Sequence, residues 1–378
     1  MKFTHNQPTK IHFGVDEFEK LGELAGQYGK RCLLVMQTDN PTFEKLANNT
    51  QEQLRKQGFT VQIFDQVRPN PTEMDILKGI QLAHEFNPDC IAAIGGGSVI
   101  DSAKVIAYYA IDGNADWQAF YDSNYKFKSQ PSFKSNVVPL ITIPTTAGTG
   151  SNVTQAAVIS DMNNKKTTVF RQEFFAKETI IDPKLTLSLP ASLTASTGFD
   201  AFCHLAESYY NGQFSPLCEQ MALTGLKIIG EVLPKLMSEN KIEYREQMAL
   251  ADLYAGICLS NGGGNAPHFY GEIISSRAYK VNHGCSLAIT FPHFAKIAYN
   301  ERMKTIIDCV KPNGSANENG EDAYEIMIQF LASIKLPTSL KDYSLDAEAL
   351  ENIRHDYENQ TRFEMNEREQ RLIASILN

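Results

Sequence analysis

Asp200 and His204 stand four positions apart in "STGFDAFCHLAESYY" (196–210), a stretch of helical character, so both side chains project from one face. His268 and His283 follow, fifteen residues apart, in "SNGGGNAPHFYGEIISSRAYKVNHGCS" (260–286). Three imidazoles and one carboxylate suit a first-row divalent cation such as Zn²⁺ or Fe²⁺. Taken singly, each histidine reads as readily as a hydrogen-bonded core or surface residue, as His5, His12, His84 and His355 do. The four gain meaning only as a set. Four protein ligands also describe a closed structural site, although expansion to five coordination still admits a substrate oxygen.

Two further stretches could hold a phosphate-bearing ligand. In "IAAIGGGSVIDSAK" (91–104) an apolar strand runs into Gly95, Gly96, Gly97 and Ser98 and then into a helix whose first turn carries Asp101. Glycines remove the Cβ that would block a ligand, and a helix start offers unpaired N–H groups to a pyrophosphate. The spacing is neither GxGxxG nor GxxxxGK[ST], so a tight turn without a ligand remains open. In "IPTTAGTGS" (143–151) another strand ends in a loop where Thr145, Thr146, Thr149 and Ser151 offer hydroxyls. Alone it reads as a surface turn. Ligands of open α/β sheets lie outside the carboxyl ends of the strands, so the two loops could converge on one dinucleotide.

The elements that must carry these residues change character along the chain. "KRCLLVMQT", "FTVQIFDQV", "DCIAAIGGGS" and "NVVPLITIPTT" read as strands. Between them lie helical patterns such as "NPTFEKLANNTQEQLRKQG" and "PTEMDILKGIQLAHEFNP". Short apolar strands alternating with helices predict βαβ units and a covered parallel sheet. From about residue 190 the helical period takes over, as in Tyr324, Met327, Ile328, Leu331 and Ile334. The expected organisation is an α/β dinucleotide domain over residues 1–185 and an all-α metal-binding and catalytic domain over 186–378.

Bulk composition agrees with a soluble, cytoplasmic chain. Thirty-five basic against forty-four acidic residues give a net charge of −9, which argues against nucleic acid or an anionic membrane as partner. The seven cysteines never pair as CxxC, which fits reduced thiols. "MKFTHNQPTKIHFG" has no apolar core of a secretory signal, and no run of about eighteen apolar residues suggests a membrane span.

In order, "PNPT" (69–72), "IGGGSVIDSAK", "IPTTAGTGS", "IDP" (181–183), "TGFDAFCHLAESY", "SNGGGNAPH", "NHG" and "FPH" (291–293) resemble the iron-containing (group III) alcohol dehydrogenases over nearly the whole chain. The resemblance implies a Rossmann-like N-terminal domain and a helical metal domain, an architecture shared with dehydroquinate synthase, with catalysis in the cleft between them. It assigns the metal to Asp200, His204, His268 and His283. It assigns the pyrophosphate of NAD or NADP to Gly96, Gly97 and Ser98 with Asp101 nearby, and the rest of the cofactor to Thr145, Thr146 and Thr149. It also implies a homodimer or higher homo-oligomer.

Three features depart from the pattern. Glu272 stands where a second histidine commonly follows the third ligand, and the stretch from His268 to His283 is one residue longer than usual. Gln37 occupies the end of a strand where some NAD-preferring members carry an acid, although Asp39 is close by.

The expected reaction is reversible hydride transfer between the nicotinamide and a small alcohol or aldehyde, whose oxygen a metal would polarise. Glu272, on the face of His268, is the expected proton relay or support. Alternatives are a glycerol dehydrogenase, a dehydroquinate synthase-like enzyme, or a non-catalytic dinucleotide- or metal-binding regulator. The lyase needs several basic residues, and only Arg277 and Lys280 are near at hand.

Overall fold

The computed structural model describes residues 2–122, 134, 136–162, 165–212, 215–360 and 366–377. The chain forms two compact units, Asn6–Ser188 and Leu189–Asn378, with the segment up to His5 joining the second. The sequence reading had put that segment in the first unit. His5 explains the difference: its Nδ1 lies 3.6 Å from Sγ of Cys218, a residue of the helical unit.

The described residues of the first unit form eight strands: β1 (Lys10–Phe13), β2 (Arg31–Met36), β3 (Thr60–Phe64), β4 (Cys90–Gly95), β5 (Leu140–Pro144), β6 (Ala156–Ser160), β7 (Lys166–Phe170) and β8 (Glu178–Ile181). Six make a parallel sheet in the order β1-β8-β5-β4-β2-β3. Helices α1 (Leu21–Gly26), α2 (Pro41–Lys56), α3 (Glu73–Phe86), α4 (Gly97–Tyr109) and α5 (Trp117–Asp122) accompany it.

Burial follows position in the sheet. Every residue of β4, β5 and β8 is buried, as strands covered on both faces require, whereas the edge strand β3 alternates. Successive side chains of β2 enter opposite cores. Leu33 and Val35 pack with residues of α3 and α4, and Cys32, Leu34 and Met36 pack with residues of α1 and α2.

This order creates the place where a ligand can sit. The chain leaves β2 for β3 on one side and leaves β4 for β5 on the other, so the connections diverge between the neighbours β2 and β4. Such a divergence opens a crevice at the carboxyl ends of the strands. Gln37 follows β2 and Gly96 follows β4 at that edge. Gly95 pairs with Pro144, so the glycine loop and the threonine loop leave the sheet side by side.

The antiparallel hairpin β6–β7 was not anticipated. It is tied to α4 by a buried network centred on Asp101. Asp101 Oδ1 accepts from Ser151 Oγ at 2.5 Å and Oδ2 from the Val158 amide at 2.9 Å. Lys104 Nζ lies 3.5 Å from the carboxylate and donates to Ser151 Oγ, Thr154 Oγ1 and the Ala156 carbonyl. The sequence reading grouped Asp101 with the cofactor residues; here its carboxylate turns into the fold, because a buried ammonium and two donors claim it. Burial lowers the Lys104 pKa to about 8 even against the Asp101 charge.

The described elements of the second unit are helices, with no strand among its described residues: α6 (Ala191–Asn211), α7 (Pro216–Leu236), α8 (Ile242–Gly262), α9 (Ala266–Arg277), α10 (His283–Ile297), α11 (Glu301–Asp308), α12 (Gly320–Ser333), α13 (Ala347–Glu358) and α14 (Glu367–Leu377). Asparagine, serine and aspartate side chains cap many of their starts, among them Ser215, Asn265, Asn282, Asn300, Asn319 and Asp346.

Replacing Asp101 with alanine strands the Lys104 ammonium in the interior, at a cost on the order of 3 kcal/mol. Urea unfolding followed by Trp117, the chain's one tryptophan, should show that loss, and adding Lys104→Met should recover part of it.

Candidate functional site

Helix α6 is buried around nearly its whole circumference. On one side Phe199 and Phe202 stack at 5.5 Å and meet Phe291 and Phe330. At about 100° per residue, Asp200, His204, Glu207 and Asn211 fall on the opposite side as a single row. The apolar side fixes how the helix is seated and so aims the polar row.

Three imidazoles converge on the first member of that row. Asp200 Oδ1 lies 3.7 Å from His204 Nε2, 3.4 Å from His268 Nε2 and 3.6 Å from His283 Nε2. The structure therefore brings together all four residues named from the sequence. Asp200, His204 and His268 form the tighter group, each with one ligand atom within 4.8 Å of the others. The rings of His204 and His268 stack at 4.4 Å, and that of His283 lies 5.3 Å from His268.

Each distant histidine is delivered by a specific device. His268 stands in the first turn of α9, entered through the glycine-rich link from α8. That link is fastened to α6: Ser208 Oγ donates to the Gly263 carbonyl, and Asn211 Nδ2 lies 3.3–3.4 Å from the carbonyls of Gly262, Gly263 and Gly264. Asn265 Nδ2 in turn donates to Asn211 Oδ1 at 2.6 Å. His283 opens α10, whose start is capped by Asn282. Gly284 lets this helix start press on α6, since a Cβ there would lie 1.9 Å from the Ser196 carbonyl oxygen. The "NHG" motif thus joins a candidate ligand to the close approach that seats it.

Two atoms of the cluster are left over by the protein itself. Asp200 Oδ1 and His268 Nε2 are buried without a hydrogen-bond partner. Ligand atoms about 2.1 Å from a shared tetrahedral centre lie about 3.4 Å apart, close to the separations found here. These separations fit ligand atoms aimed at one cation. Charge agrees. Burial opposes ionisation of Asp200, but His204, His283 and His268 outweigh it and hold its pKa near 2. Burial works against a charged His268 too, yet Glu207 and Asp200 raise its pKa to about 10. A pocket that grips a proton so firmly carries negative potential suited to a cation. The residues present fit a divalent metal.

Glu207 was missed in the sequence although it lies in the opening stretch. Fully buried, it accepts from His268 Nδ1 at 2.6 Å with one oxygen and from the Asn265 amide at 2.5 Å with the other. The i, i+4, i+7 spacing of Asp200, His204 and Glu207 was the signal available. Glu272 is half-buried one turn beyond His268 on α9.

The nucleotide loops belong to the first unit. Gly96 caps α4, and Gly97 and Ser98 form its half-exposed first turn. A Cβ on Gly97 would lie 2.9 Å from Thr149 Cγ2, and one on Gly96 3.3 Å from Thr146 Cγ2, so the two loops pack together. The hydroxyl oxygens of Thr145 and Thr146 are buried without a partner. A glycine cradle and orphaned hydroxyls beside a helix start suit a pyrophosphate-bearing cofactor. Gln37, half-buried after β2, bridges to Gln66. Asp39 beyond it is exposed.

Residues 8–183 match the family described as iron-containing alcohol dehydrogenase, and residues 194–371 match the C-terminal domain of the Fe-containing alcohol dehydrogenase family. The chain belongs to the iron-containing alcohol dehydrogenases. It is a metal-dependent, nicotinamide-linked oxidoreductase acting on CH–OH. Among its relatives, the NAD-dependent methanol dehydrogenase of Bacillus methanolicus is 32% identical over 315 residues, covering 82% of this chain and 80% of that protein. The probable NADH-dependent butanol dehydrogenase 1 of Bacillus subtilis (strain 168) is 32% identical over 369 residues, covering 93% and 92%. Among solved structures, a 1,3-propanediol oxidoreductase superposes with a TM-score of 0.86 at 26% identity, covering 100% of this chain and 99% of that one. Among the described residues no helix is long and apolar enough to cross a membrane.

Gly284→Ala should displace the start of α10 and His283 with it. Metal content of the purified variant, measured by mass spectrometry, should fall to about one-tenth or less of wild type, a loss of over 1 kcal/mol in binding.

Proposed function

We propose that this dehydrogenase interconverts a short-chain alcohol and its aldehyde. In this reading Asp200, His204, His268 and His283 hold one divalent metal, Fe²⁺ or Zn²⁺, and the loops at Gly96–Ser98 and Thr145–Thr149 hold NAD or NADP. The observation that carries it is the buried Asp200 Oδ1 ringed by three imidazole nitrogens at 3.4–3.7 Å. When bound, the metal supplies Lewis-acid polarisation of the substrate oxygen and the nicotinamide gives or takes the hydride.

The chain's own residues do the rest. Asp200 brings the charge that keeps a cation in a buried site, and the neutral imidazoles leave a divalent ion's charge only partly balanced. Gly96 and Gly97 let the backbone approach the pyrophosphate, and the N–H groups of Gly97 and Ser98 face it at the start of α4. Thr145 and Thr146 offer buried hydroxyls to the cofactor. Asp101 and Lys104 act one step removed by bracing Ser151 under the threonine loop. Glu272 is the group proposed to carry the proton of the alcohol to and from solvent. Gln37, which follows β2 at the carboxyl edge of the sheet, is proposed to meet the adenosine end of the cofactor.

The relatives named for methanol and butanol oxidation support a short aliphatic substrate. Seven free cysteines, six of them buried, support a reducing cytoplasm. A homodimer or larger homo-oligomer is part of the proposal on family grounds.

Asp200→Ala and His268→Ala should each lose metal and alcohol oxidation while NADH binding, followed by fluorescence titration, stays within about two-fold, or under 1 kcal/mol. Full turnover by a metal-free preparation would reject the reading. Glu272→Gln should retain metal and lower kcat at least ten-fold, about 1.4 kcal/mol, across a panel of short alcohols assayed with NAD and NADP.

A further inference from the structure

We propose that Glu207 is a positioning residue for the metal centre: it locks His268 with its proton on Nδ1, so that Nε2 alone is presented to the cation. The proposal rests on the reading of Asp200, His204, His268 and His283 as ligands. It adds a residue outside that set and a reason why it must be a carboxylate.

The geometry leaves Glu207 little choice. Its two oxygens face two different donors, His268 Nδ1 at 2.6 Å and the Asn265 amide at 2.5 Å. An ionised carboxylate accepts at both oxygens, whereas a glutamine side chain accepts at one and must turn its NH₂ toward the other donor. Both partners lie at the entry of α9, so one side chain of α6 fixes both the orientation of the imidazole and the distance of the backbone that carries it. Ser208 and Asn211 fasten the same link further along α6.

The tautomer follows from the contact. With Nδ1–H held by Glu207, Nε2 is the nitrogen that gives up its proton to a cation; it is buried without a partner, 3.4 Å from Asp200 Oδ1. An imidazole free to rotate or to exchange its proton would present the wrong nitrogen for part of the time. A carboxylate behind a ligating histidine also raises the basicity of the nitrogen in front.

The test uses the full chain stripped of metal, with Zn²⁺ as probe and its Kd read by competition with a chromophoric chelator. Glu207→Gln should weaken Zn²⁺ binding by about 10–100-fold. Arg277→Gln breaks the ion pair with Asp356 at the far end of the same helix but leaves the Glu207 to His268 contact and the link before α9 in place. It should weaken binding by less than about three-fold, well below that range. Zn²⁺ binding to Glu207→Gln with the wild-type Kd would overturn the proposal, and so would equal weakening by the two variants. Should Glu207→Gln fail to fold, Glu207→Asp keeps the charge but withdraws it by one methylene, and the same loss is expected. Failure of the ligand assignment is distinct: the wild-type chain would then bind no Zn²⁺, or Asp200→Ala would bind it equally well.

Discussion

A carboxylate oxygen buried without a donor is expensive, and Asp200 Oδ1 is such an atom. It survives in the core of the helical unit with three imidazole nitrogens around it at 3.4–3.7 Å. Much of the unit can be understood as holding that arrangement rigid before any ion arrives. The aromatic packing of Phe199 and Phe202 seats α6 from behind. The missing side chain of Gly284 lets the His283 helix close on it, and the link of Gly262 to Asn265 is fastened to it in front. Preorganisation of this kind moves the cost of gathering ligands from metal binding into folding.

The two units solve their recognition problems with different materials. The sheet unit gathers its candidate cofactor groups from neighbouring parallel strands, so register does the positioning: Gly95 opposite Pro144 places both loops at one edge. What those loops need is small size, because a Cβ at Gly97 would strike Thr149. The helical unit instead gathers long side chains from positions up to 83 residues apart, Asp200 to His283, and needs directional hydrogen bonds behind them. Substitution by alanine is therefore tolerable at few glycines of the first site, and loss of polar partners is the main hazard of the second.

This contrast explains what the sequence disclosed. The parallel sheet was legible because β2, β4 and β5 are near-continuous apolar runs bounded by turns. The convergence of Asp200, His204, His268 and His283 was legible because those residue types are rare and recur in a recognisable order. The hairpin β6–β7 was not, since "AAVIS" and "KTTVF" are short and owe their stability to Asp101 and Lys104 packing beneath them. Asp101 itself was drawn toward the cofactor by its place beside the glycines, and nothing local announced the buried lysine three residues on. Glu207 escaped for the opposite reason. It sat in plain view, but its role depends on Asn265 and His268, whose approach only the tertiary structure supplies.

The position of Glu207 also alters the charge balance of the centre. Counting the four candidate ligands alone, a divalent ion beside one carboxylate leaves a net positive charge. Glu207 adds a second negative charge, one imidazole removed, which brings the formal sum of ion and carboxylates to zero. Burial raises the Glu207 pKa, while His268 and the Asn265 amide pull it back. The second carboxylate therefore depends on the two donors that it orients. A neutral sum inside a low-dielectric core is easier to hold than a charged one. In the proposed centre the two carboxylates thus divide the work by placement, Asp200 among the candidate ligands and Glu207 behind His268.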